Sequence, residues 1–365
     1  MSSARIEFDG IDSGIVTFTD GDEVRRESFS CGVAMIKVND PKFWTPDTPY
    51  LYDFTVECGK DKFSSYFALR EVSVKTVDGT PRICLNGKPI FLNGLLDQGY
   101  FPDGIFTAAS DECYENDILI AKKLGFNTLR KHIKVEPEVF YYYCDKLGMI
   151  VAQDMVNNGR YSFFRDTALP TIGMKSFCDK GLHKNQKSRD AFIDSMIKTV
   201  NQLYNHPCIC LWTIFNEGWG QFCADEMYPV LRKMDSTRVI DTASGWFRPK
   251  KSDVVSEHIY FKKVKIKKNA TRPVFLSEFG GYSHKVEGHI FNLGNNYGYG
   301  SAATVEEFEK MLHDLYTEQV IPNVKNGLSG AILTQITDVE DETNGLITYD
   351  RKVVKVKNPL PEIEI

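Results

Sequence analysis

What this sequence lacks excludes several classes of protein. Its 365 residues hold no Cys-x-x-Cys pair and no cysteine–histidine spacing of the kind that binds zinc. No apolar run is long enough to cross a bilayer. The formal net charge of −5 is opposite in sign to the basic surplus of nucleic-acid-binding domains. We therefore expect no nucleic-acid partner and no membrane partner.

The cysteines indicate a reducing compartment. There are nine, an odd number, and four of them, Cys84, Cys144, Cys208 and Cys210, lie in apolar runs, where a thiol packs as a small hydrophobic group. No secretory signal is recognisable at the N-terminus. We expect a cytoplasmic protein, unless a signal sequence has been lost from this chain.

The chain divides into two regions of different texture. Residues 1–76 contain short apolar runs broken by Asp-Gly, proline and charge, which predicts a small immunoglobulin-like β-sandwich, complete or truncated. Residues 77–365 alternate strand-like with helix-like segments, which predicts a (β/α)8 barrel of the TIM type. We expect an exposed linker at residues 78–81, where glycine and proline occur.

The predicted barrel is irregular around its fifth and sixth strands. These strands are expected at residues 239–246 and 254–260, and the seven residues between them are too few for a crossover helix. A long loop at about 157–187 follows the third strand, and long loops of this kind are usually functional or mobile.

Two glutamates end apolar strands of the predicted barrel. Glu217 follows the run 208–215 and Asn216, and Glu278 follows 273–277. The C-terminal ends of barrel strands carry the active sites of this fold, and two facing carboxyl groups are the minimum for cleaving a glycosidic bond. A separation near 5 Å would give a retaining mechanism, and a wider gap would admit a water and give inversion.

Other polar side chains are predicted at the same rim. A lone histidine on a strand is more often a packed core residue, and convergence of several strand ends makes a binding site the better hypothesis. The candidates beside the glutamates are Asn216, Arg130, His132, Asp154, Trp246, His258, Tyr260 and Gln335.

Several motifs together resemble glycoside hydrolase family 2, the family of β-galactosidases, β-glucuronidases and β-mannosidases. The resemblance covers nearly the whole chain, without the family's N-terminal jelly-roll domain. Its motifs occur in the family's order: FWTP at 43–46, PYLY at 49–52, LNGKPIFLNG at 85–94, NTLR at 127–130, CDKLG at 144–148, NE at 216–217 and SEFG at 277–280.

The resemblance implies roles for individual residues. Glu217 would be the general acid/base and Glu278 the nucleophile of a retaining exo-β-glycosidase. Asn216 would bond the sugar 2-hydroxyl, Tyr260 would lie beside the nucleophile, and Arg130 would support the carboxylates. The acid/base would need a raised pKa.

The resemblance also narrows the substrate. Residues 342–346 stand where a β-glucuronidase has its clamp for the substrate carboxylate, and that clamp is not evident. The metal ligands of some β-galactosidases are replaced by MVNN at 155–158. We expect a β-galactosidase-like enzyme with a carbohydrate substrate, no metal and no cofactor. Sugar specificity would depend on loops 157–187 and 283–303, and a homo-oligomer stays open.

Two alternatives stay open from sequence alone. The chain could be a carbohydrate-binding relic of the family that has lost turnover, although both glutamates favour the enzyme. It could instead be a barrel enzyme of unrelated chemistry, such as an aldolase or a metal-dependent hydrolase. An aldolase needs a Schiff-base lysine, and Lys131 is the only lysine predicted at a strand end.

Overall fold

The N-terminal region consists of two small sheets that pack face to face. The computed structural model describes residues 2–157, 159, 162–169, 178–260, 262–268, 271–292, 294 and 300–365. One sheet pairs β1 (Ser2–Glu7) with β4 (Val33–Val38). The other has the order β3-β2-β5-β6, from Glu23–Phe29, Gly14–Asp20, Tyr52–Cys58 and Asp61–Phe67.

Alternating apolar side chains build the core between these sheets. Val16 and Phe18 on β2, Ile36 on β4 and Val56 on β5 are at most 2% exposed. Their period of two places each on the inner face of its sheet. The expected sandwich is therefore present as two antiparallel sheets over their own core. The proposed division into residues 1–76 and 77–365 stays a prediction.

A hairpin occupies the position of the expected linker. β7 (Val72–Val77) pairs with β8 (Thr80–Leu85), which pairs with the short β9 (Lys88–Pro89). Asp78 and Gly79 form its exposed turn, but Thr80 and Pro81 are buried. The expectation of an exposed linker at 78–81 is therefore wrong for its second half, because β8 packs against the barrel.

Eight parallel strands form the nearly closed barrel. Their order is β14-β13-β12-β11-β10-β19-β16-β15. The strands are β10 (Leu92–Asp97), β11 (Thr128–Lys131), β12 (Ile150–Asp154), β13 (Ile209–Asn216), β14 (Val239–Ser244), β15 (Val255–Ile259), β16 (Val274–Gly280) and β19 (Leu328–Thr334). The barrel is irregular where the sequence predicted it. β14 and β15, the fifth and sixth strands, are the two ends of the hydrogen-bonded strand order, so the gap in the barrel lies between them.

Helices cover most of the outside of the barrel. They are α1 (Asp111–Lys123), α2 (Glu138–Leu147), α3 (Gln186–Leu203), α4 (Ala224–Met234) and α5 (Val305–Leu315), with a π-helical turn (Tyr316–Val320) leading into α6 (Ile321–Val324). A further π-helical turn spans Phe164–Ala168, a 3-10 turn Asp179–Gly181, and β17 (Ser283–His284) pairs with β18 (Ser301–Ala302).

Local sequence explains where these helices begin and end. Acidic Asp111 and Glu112 lie in the first turn of α1 and Lys122 and Lys123 in its last, each matching the helix dipole. Gly148 ends α2 in the left-handed conformation. Helices cover the outer face of the barrel sheet, and the side chains of the other strands fill its interior. All eight residues of β13 are therefore buried. Among the described residues, no helix is long and apolar enough to cross a membrane.

Candidate active site at the mouth of the barrel

Glu217 is positioned by the turn that ends β13. Its backbone has φ +49°, a conformation rare for residues other than glycine, and its N–H donates to the carbonyl of Ser244 on β14 at 3.0 Å. Gly218 continues the turn at φ +75°, and a Cβ there would lie 2.2 Å from the Phe247 ring. The turn therefore requires glycine after the glutamate, and it aims Glu217 over the barrel mouth.

Glu278 lies within β16 rather than at its end. β16 continues to Gly280, two residues beyond the predicted end. Its pairing with β19 is irregular between Leu276 and Phe279, and irregular pairing of this kind re-aims side chains next to active sites. On the other side, Glu278 is the register partner of His258 on β15.

The two carboxylates converge on one point. Glu217, Glu278 and His258 each offer an atom within 4.8 Å of the others. His258 Nδ1 lies 2.9 Å from Glu217 Oε1 and 3.4 Å from Glu278 Oε2. One oxygen of each glutamate therefore lies within 4.8 Å of the other, which is in the range of a nucleophile and an acid/base that act on the same carbon.

Glu278 is the more buried glutamate, and two donors orient its carboxyl group. Its residue is 5% exposed. Arg130 Nη1 donates to Oε1 at 3.0 Å, and the Tyr260 hydroxyl donates to Oε2 at 2.5 Å. Charge-assisted bonds of this kind fix the orientation of the carboxylate.

Arg130 joins three strand ends beneath the site. From β11 it donates to both oxygens of Asp154 on β12, at 3.1 and 2.9 Å, and to Asn216 Oδ1 on β13 at 2.8 Å. Burial alone would lower the pKa of Arg130, but Asp154 and Glu278 outweigh burial and raise the pKa above its ordinary value. The guanidinium is thus a fixed positive charge under the carboxylates.

Asn216 is held by partners on both sides. Its backbone N–H donates to Asn157 Oδ1 at 2.9 Å, and its Nδ2 lies 3.2 Å from His132 Nε2. His132 Nε2 is also 3.9 Å from Glu278 Oε1. Since the Asn216 oxygen accepts from Arg130, its amide nitrogen is turned toward His132 and the mouth.

The remaining predicted residues differ in their distance from the glutamates. The Trp246 ring lies 5.5 Å from the His258 ring. Gln335 was expected within the eighth strand, but β19 ends at Thr334. Its side chain bonds Glu342 at 2.6 Å and Gln98 at 2.8 Å, so it belongs to a neighbouring cluster and supports the site through Glu342.

Glu342 was not among the residues that the sequence picked out. Gln98 and Gln335 both donate to its Oε2, at 3.0 and 2.6 Å. Burial raises the pKa of Glu342, the two glutamine bonds lower it, and the charge of Glu278 raises it again. A third carboxyl group therefore lies within electrostatic reach of Glu278. The sequence pointed to Glu342 only indirectly, because a glutamate stands in the region where a β-glucuronidase would have its cationic clamp.

Lys131 is not suited to Schiff-base chemistry. Its Nζ contacts Asp97 Oδ2 at 2.7 Å and Glu136 Oε1 at 2.6 Å. Burial lowers the pKa of Lys131, but these two carboxylates outweigh it and raise the pKa above its ordinary value. A Schiff-base lysine needs the neutral amine, so the aldolase alternative loses its one candidate residue.

The convergence of Glu217, His258 and Glu278 would also suit a metal ion by distance alone. The charges argue against that use. Arg130 already neutralises Glu278 at 3.0 Å, and a divalent cation would be placed close to a buried guanidinium. The arrangement fits proton transfer and nucleophilic attack better than metal binding.

A cavity of about 670 Å³ lies elsewhere, between the small sheets and the barrel. Its lining includes Tyr204, Pro207 and Arg238, which precede β13 and β14. The cavity therefore opens at the N-terminal face of the barrel. In this fold that face usually contributes to stability, and the active site lies at the opposite face. The loops at 157–187 and 283–303 lie partly outside the described residues.

Two family models match the chain. The model described as "Glycosyl hydrolases family 2, TIM barrel domain" matches residues 75–355. The model described as "Glycosyl hydrolases family 2" matches residues 3–70. Together they cover the barrel with its preceding hairpin and the two small sheets.

Individual relatives are distant and longer. A β-galactosidase of Vibrio vulnificus strain YJ016 is 25% identical over 350 residues, which are 87% of this chain and 31% of the relative. The β-D-glucuronidase of Dictyoglomus thermophilum has a TM-score of 0.73 at 16% identity, over 97% of this chain and 65% of that one. A β-galacturonidase of Eisenbergiella tayi, bound to galacturonate, has a TM-score of 0.64 at 18% identity, over 96% and 64%.

These coverages limit what the relatives establish. The chain spans about a third of that β-galactosidase and somewhat less than two thirds of the two solved chains. At 16–18% identity the solved structures establish the shared fold, and function depends on the residues at the site.

Proposed function

The chain belongs to glycoside hydrolase family 2, and from that premise we propose that it is a retaining exo-β-glycosidase of β-galactosidase-like specificity. The observation that carries the proposal is the pair Glu217 and Glu278, whose carboxyl oxygens lie within 4.8 Å of each other at the barrel mouth. A separation of this order is that of a retaining pair, in which one carboxylate attacks the anomeric carbon and forms a covalent glycosyl-enzyme.

Glu278 is the nucleophile in this proposal. Arg130 and Tyr260 orient it by donating to its two oxygens, as attack on an anomeric carbon requires. In the first step its oxygen forms a bond to that carbon while the glycosidic bond breaks. Glu217 gives its proton to the departing oxygen. In the second step Glu217 takes a proton from water, whose oxygen displaces Glu278 with net retention.

The two glutamates differ in a way that fits these roles. The Glu217 side chain is 23% exposed and that of Glu278 is 6% exposed. An acid/base must reach the leaving group and then water, which enter from the mouth, whereas a nucleophile works better in a dry, positively charged setting. In this proposal Asn216 bonds the 2-hydroxyl, and His132 and Trp246 line the same subsite.

A neutral sugar is the better substrate class. The Glu342 carboxyl lies within electrostatic reach of Glu278, and its partners Gln98 and Gln335 are uncharged. A carboxylate with amides suits hydroxyl groups and repels the carboxylate of a uronide. Uronide hydrolysis is the second candidate, because the two solved relatives above are described as a glucuronidase and a galacturonidase.

A panel of p-nitrophenyl glycosides tests the proposal. It comprises the β-galactoside, β-glucoside, β-mannoside, β-glucuronide, β-galacturonide and α-galactoside. We expect turnover of a neutral β-glycoside, with the β-anomer as the first product by NMR. Preference for a β-uronide would favour the second candidate. Sugar binding without turnover of any β-glycoside would favour a binding relic.

Variants of the two glutamates should fail in different ways. Glu278→Ala removes the nucleophile and should abolish turnover. Glu217→Ala removes the proton donor and should slow substrates with poor leaving groups far more than a dinitrophenyl glycoside, which needs little protonation. Azide should then speed Glu217→Ala and give a β-glycosyl azide.

Glu23→Ala serves as the matched control. The Glu23 side chain is 77% exposed on β3, far from the mouth, so its variant should keep wild-type rates. Near-normal rates of both active-site variants on poor leaving groups would overturn the assignment.

A further inference from the structure

A chain of buried serine hydroxyls leads from the interior of the barrel to the proposed acid/base. Ser256 Oγ lies 2.6 Å from Ser277 Oγ, and Ser244 Oγ donates to Ser277 Oγ at 2.9 Å. Ser244 Oγ is also 2.8 Å from His258 Nε2, and His258 Nδ1 is 2.9 Å from Glu217 Oε1. The three serines are on β14, β15 and β16 and are at most 5% exposed.

The hydroxyl of Ser244 determines which ring nitrogen of His258 carries a proton. A hydroxyl has one proton to donate, and that of Ser244 points to Ser277. In the heavy-atom geometry Ser244 is the donor to Ser277, whose own proton goes to the Glu257 carbonyl at 3.3 Å. The proton in the contact between Ser244 and His258 then comes from Nε2 of the histidine. The His258 ring also packs directly against the backbone of Gly245, so closely that a Cβ at Gly245 would lie 2.6 Å from Nδ1. This contact holds the ring in place.

The consequence is a single proton between His258 and Glu217. With Nε2 protonated, the 2.9 Å contact at Nδ1 is satisfied in two ways. Glu217 is protonated and donates to a neutral imidazole, or Nδ1 is protonated and donates to the Glu217 carboxylate. The alternative neutral tautomer, with its proton on Nδ1 only, would keep Glu217 ionised and remove the proton that the acid step needs.

We infer that the hydroxyl chain Ser244–Ser277–Ser256 positions His258 as the Nε2–H tautomer, so that His258 and Glu217 hold one transferable proton for the acid step. The inference rests on the proposed function and deepens it, since it concerns the proton that Glu217 delivers. His258 acts through Glu217 and is a positioning residue.

The proton count closes over a turnover. Glu217 passes the shared proton to the departing oxygen, and the water that attacks in the second step returns one proton to Glu217. His258 keeps its Nε2 proton throughout. Groups facing the pair include Glu278 and Tyr260 beside it, Arg130 beneath Glu278, and the Trp246 ring. Asp241 lies beyond Ser256 at the inner end of the chain, with Arg130 and Asp154 nearby.

Two serine variants separate this inference from simple packing. Ser244→Ala removes the acceptor of the Nε2 proton. Ser277→Ala leaves Ser244 in place, and the Ser244 hydroxyl can then donate its proton to His258 Nε2. Both should move the histidine to the Nδ1–H tautomer, which stabilises ionised Glu217. The basic limb of the kcat/KM profile should then move to lower pH by about one unit in both variants.

Ser329→Ala is the matched control. Ser329 is a fully buried serine on β19 whose hydroxyl bonds the Gly327 carbonyl outside this chain. Its variant should keep the wild-type profile. Rates on a dinitrophenyl glycoside should stay within about threefold in all three variants, since that leaving group needs little protonation.

Nitrogen-15 spectra of histidine-labelled protein give a readout that does not depend on turnover. His258→Gln identifies the signals of His258, and we expect Nε2 protonated in wild type and Nδ1 protonated in Ser277→Ala. An Nδ1–H tautomer in wild type would overturn the inference. So would profiles of the two serine variants that match Ser329→Ala in an active enzyme. Absence of wild-type turnover with an Nε2–H signal would instead count against the proposed function alone.

Discussion

At the scale of single residues, charge at one position should decide between neutral sugars and uronides. Glu342→Gln removes a negative charge within reach of Glu278 while keeping the shape that Gln98 and Gln335 hold. We expect kcat/KM for β-uronides to rise about tenfold relative to neutral β-glycosides, because one like-charge repulsion is relieved. Competition between paired p-nitrophenyl substrates measures this ratio.

Glu340→Gln is the control for that change. Glu340 is exposed and lies two residues earlier on the same segment, so its variant removes the same charge without entering the site. An equal shift in both variants would mean that net charge, and not the position of Glu342, governs the selectivity.

The sequence could identify carboxylates that follow apolar runs, and it could not identify residues that act through hydroxyl groups. Glu217 and Glu278 stood out because a carboxylate after a buried apolar run has few structural uses. Ser244 and Ser277 end or interrupt the same runs, but a serine there is equally common in a packed strand. Glu342 lies on an irregular segment after β19, whose path no periodicity predicts.

At the scale of elements, β14 places the carboxyl group of Asp241 in the barrel interior. Burial raises the pKa of Asp241 to about 7, although Ser256, Arg130 and the Ala243 amide each lower it. The neutral form is therefore favoured on folding. Its stabilising effect is complete below the unfolded-state pKa of about 4 and is lost as the pH rises through about 7.

Asp241→Asn should reveal this linkage. Between pH 4.5 and pH 8 the free energy of unfolding of the variant should rise relative to wild type by about 3 kcal/mol, at about 1.4 kcal/mol per pH unit up to about pH 7. Urea unfolding across this range measures the difference. Asp22→Asn, at the exposed turn between β2 and β3, should show no such trend. A flat difference for Asp241→Asn would mean that its carboxyl group is not desolvated.

The same region shows which features the sequence predicts and which it does not. The sequence predicts the break between the fifth and sixth strands, but not the side-chain contacts across it. The short connection between the fifth and sixth strands was readable from length alone, and β14 and β15 are the ends of the hydrogen-bonded order. The hydrogen bond between Ser244 and His258 joins these two strands. Side-chain pairing across an irregular place depends on three-dimensional register, which one sequence does not encode locally.

At the scale of the whole molecule, Asp145 on α2 ties the small sheets to the barrel. Its carboxylate accepts from the Tyr66 hydroxyl at 2.7 Å, from the Cys208 N–H at 2.8 Å and lies 2.7 Å from His206 Nδ1. Its carbonyl accepts from Trp44 Nε1 at 2.8 Å. Burial and the Asp145 charge raise the pKa of Tyr66 above its ordinary value, so Tyr66 remains a donor across the working pH range.

Tyr66→Phe should therefore weaken the junction without touching the active site. A buried carboxylate would lose one of its donors, which costs about 1.5–3 kcal/mol of unfolding free energy. Tyr142→Phe is the control, since Tyr142 packs beside Tyr66 but is 38% exposed and should change stability by less than about 0.5 kcal/mol. Urea unfolding followed by the fluorescence of the four tryptophans, among them buried Trp44 beside the junction, measures the free energy of unfolding. Equal stability of the two variants would show that the Asp145 carboxylate does not depend on the Tyr66 donor, and that its contacts with His206 and the Cys208 N–H suffice.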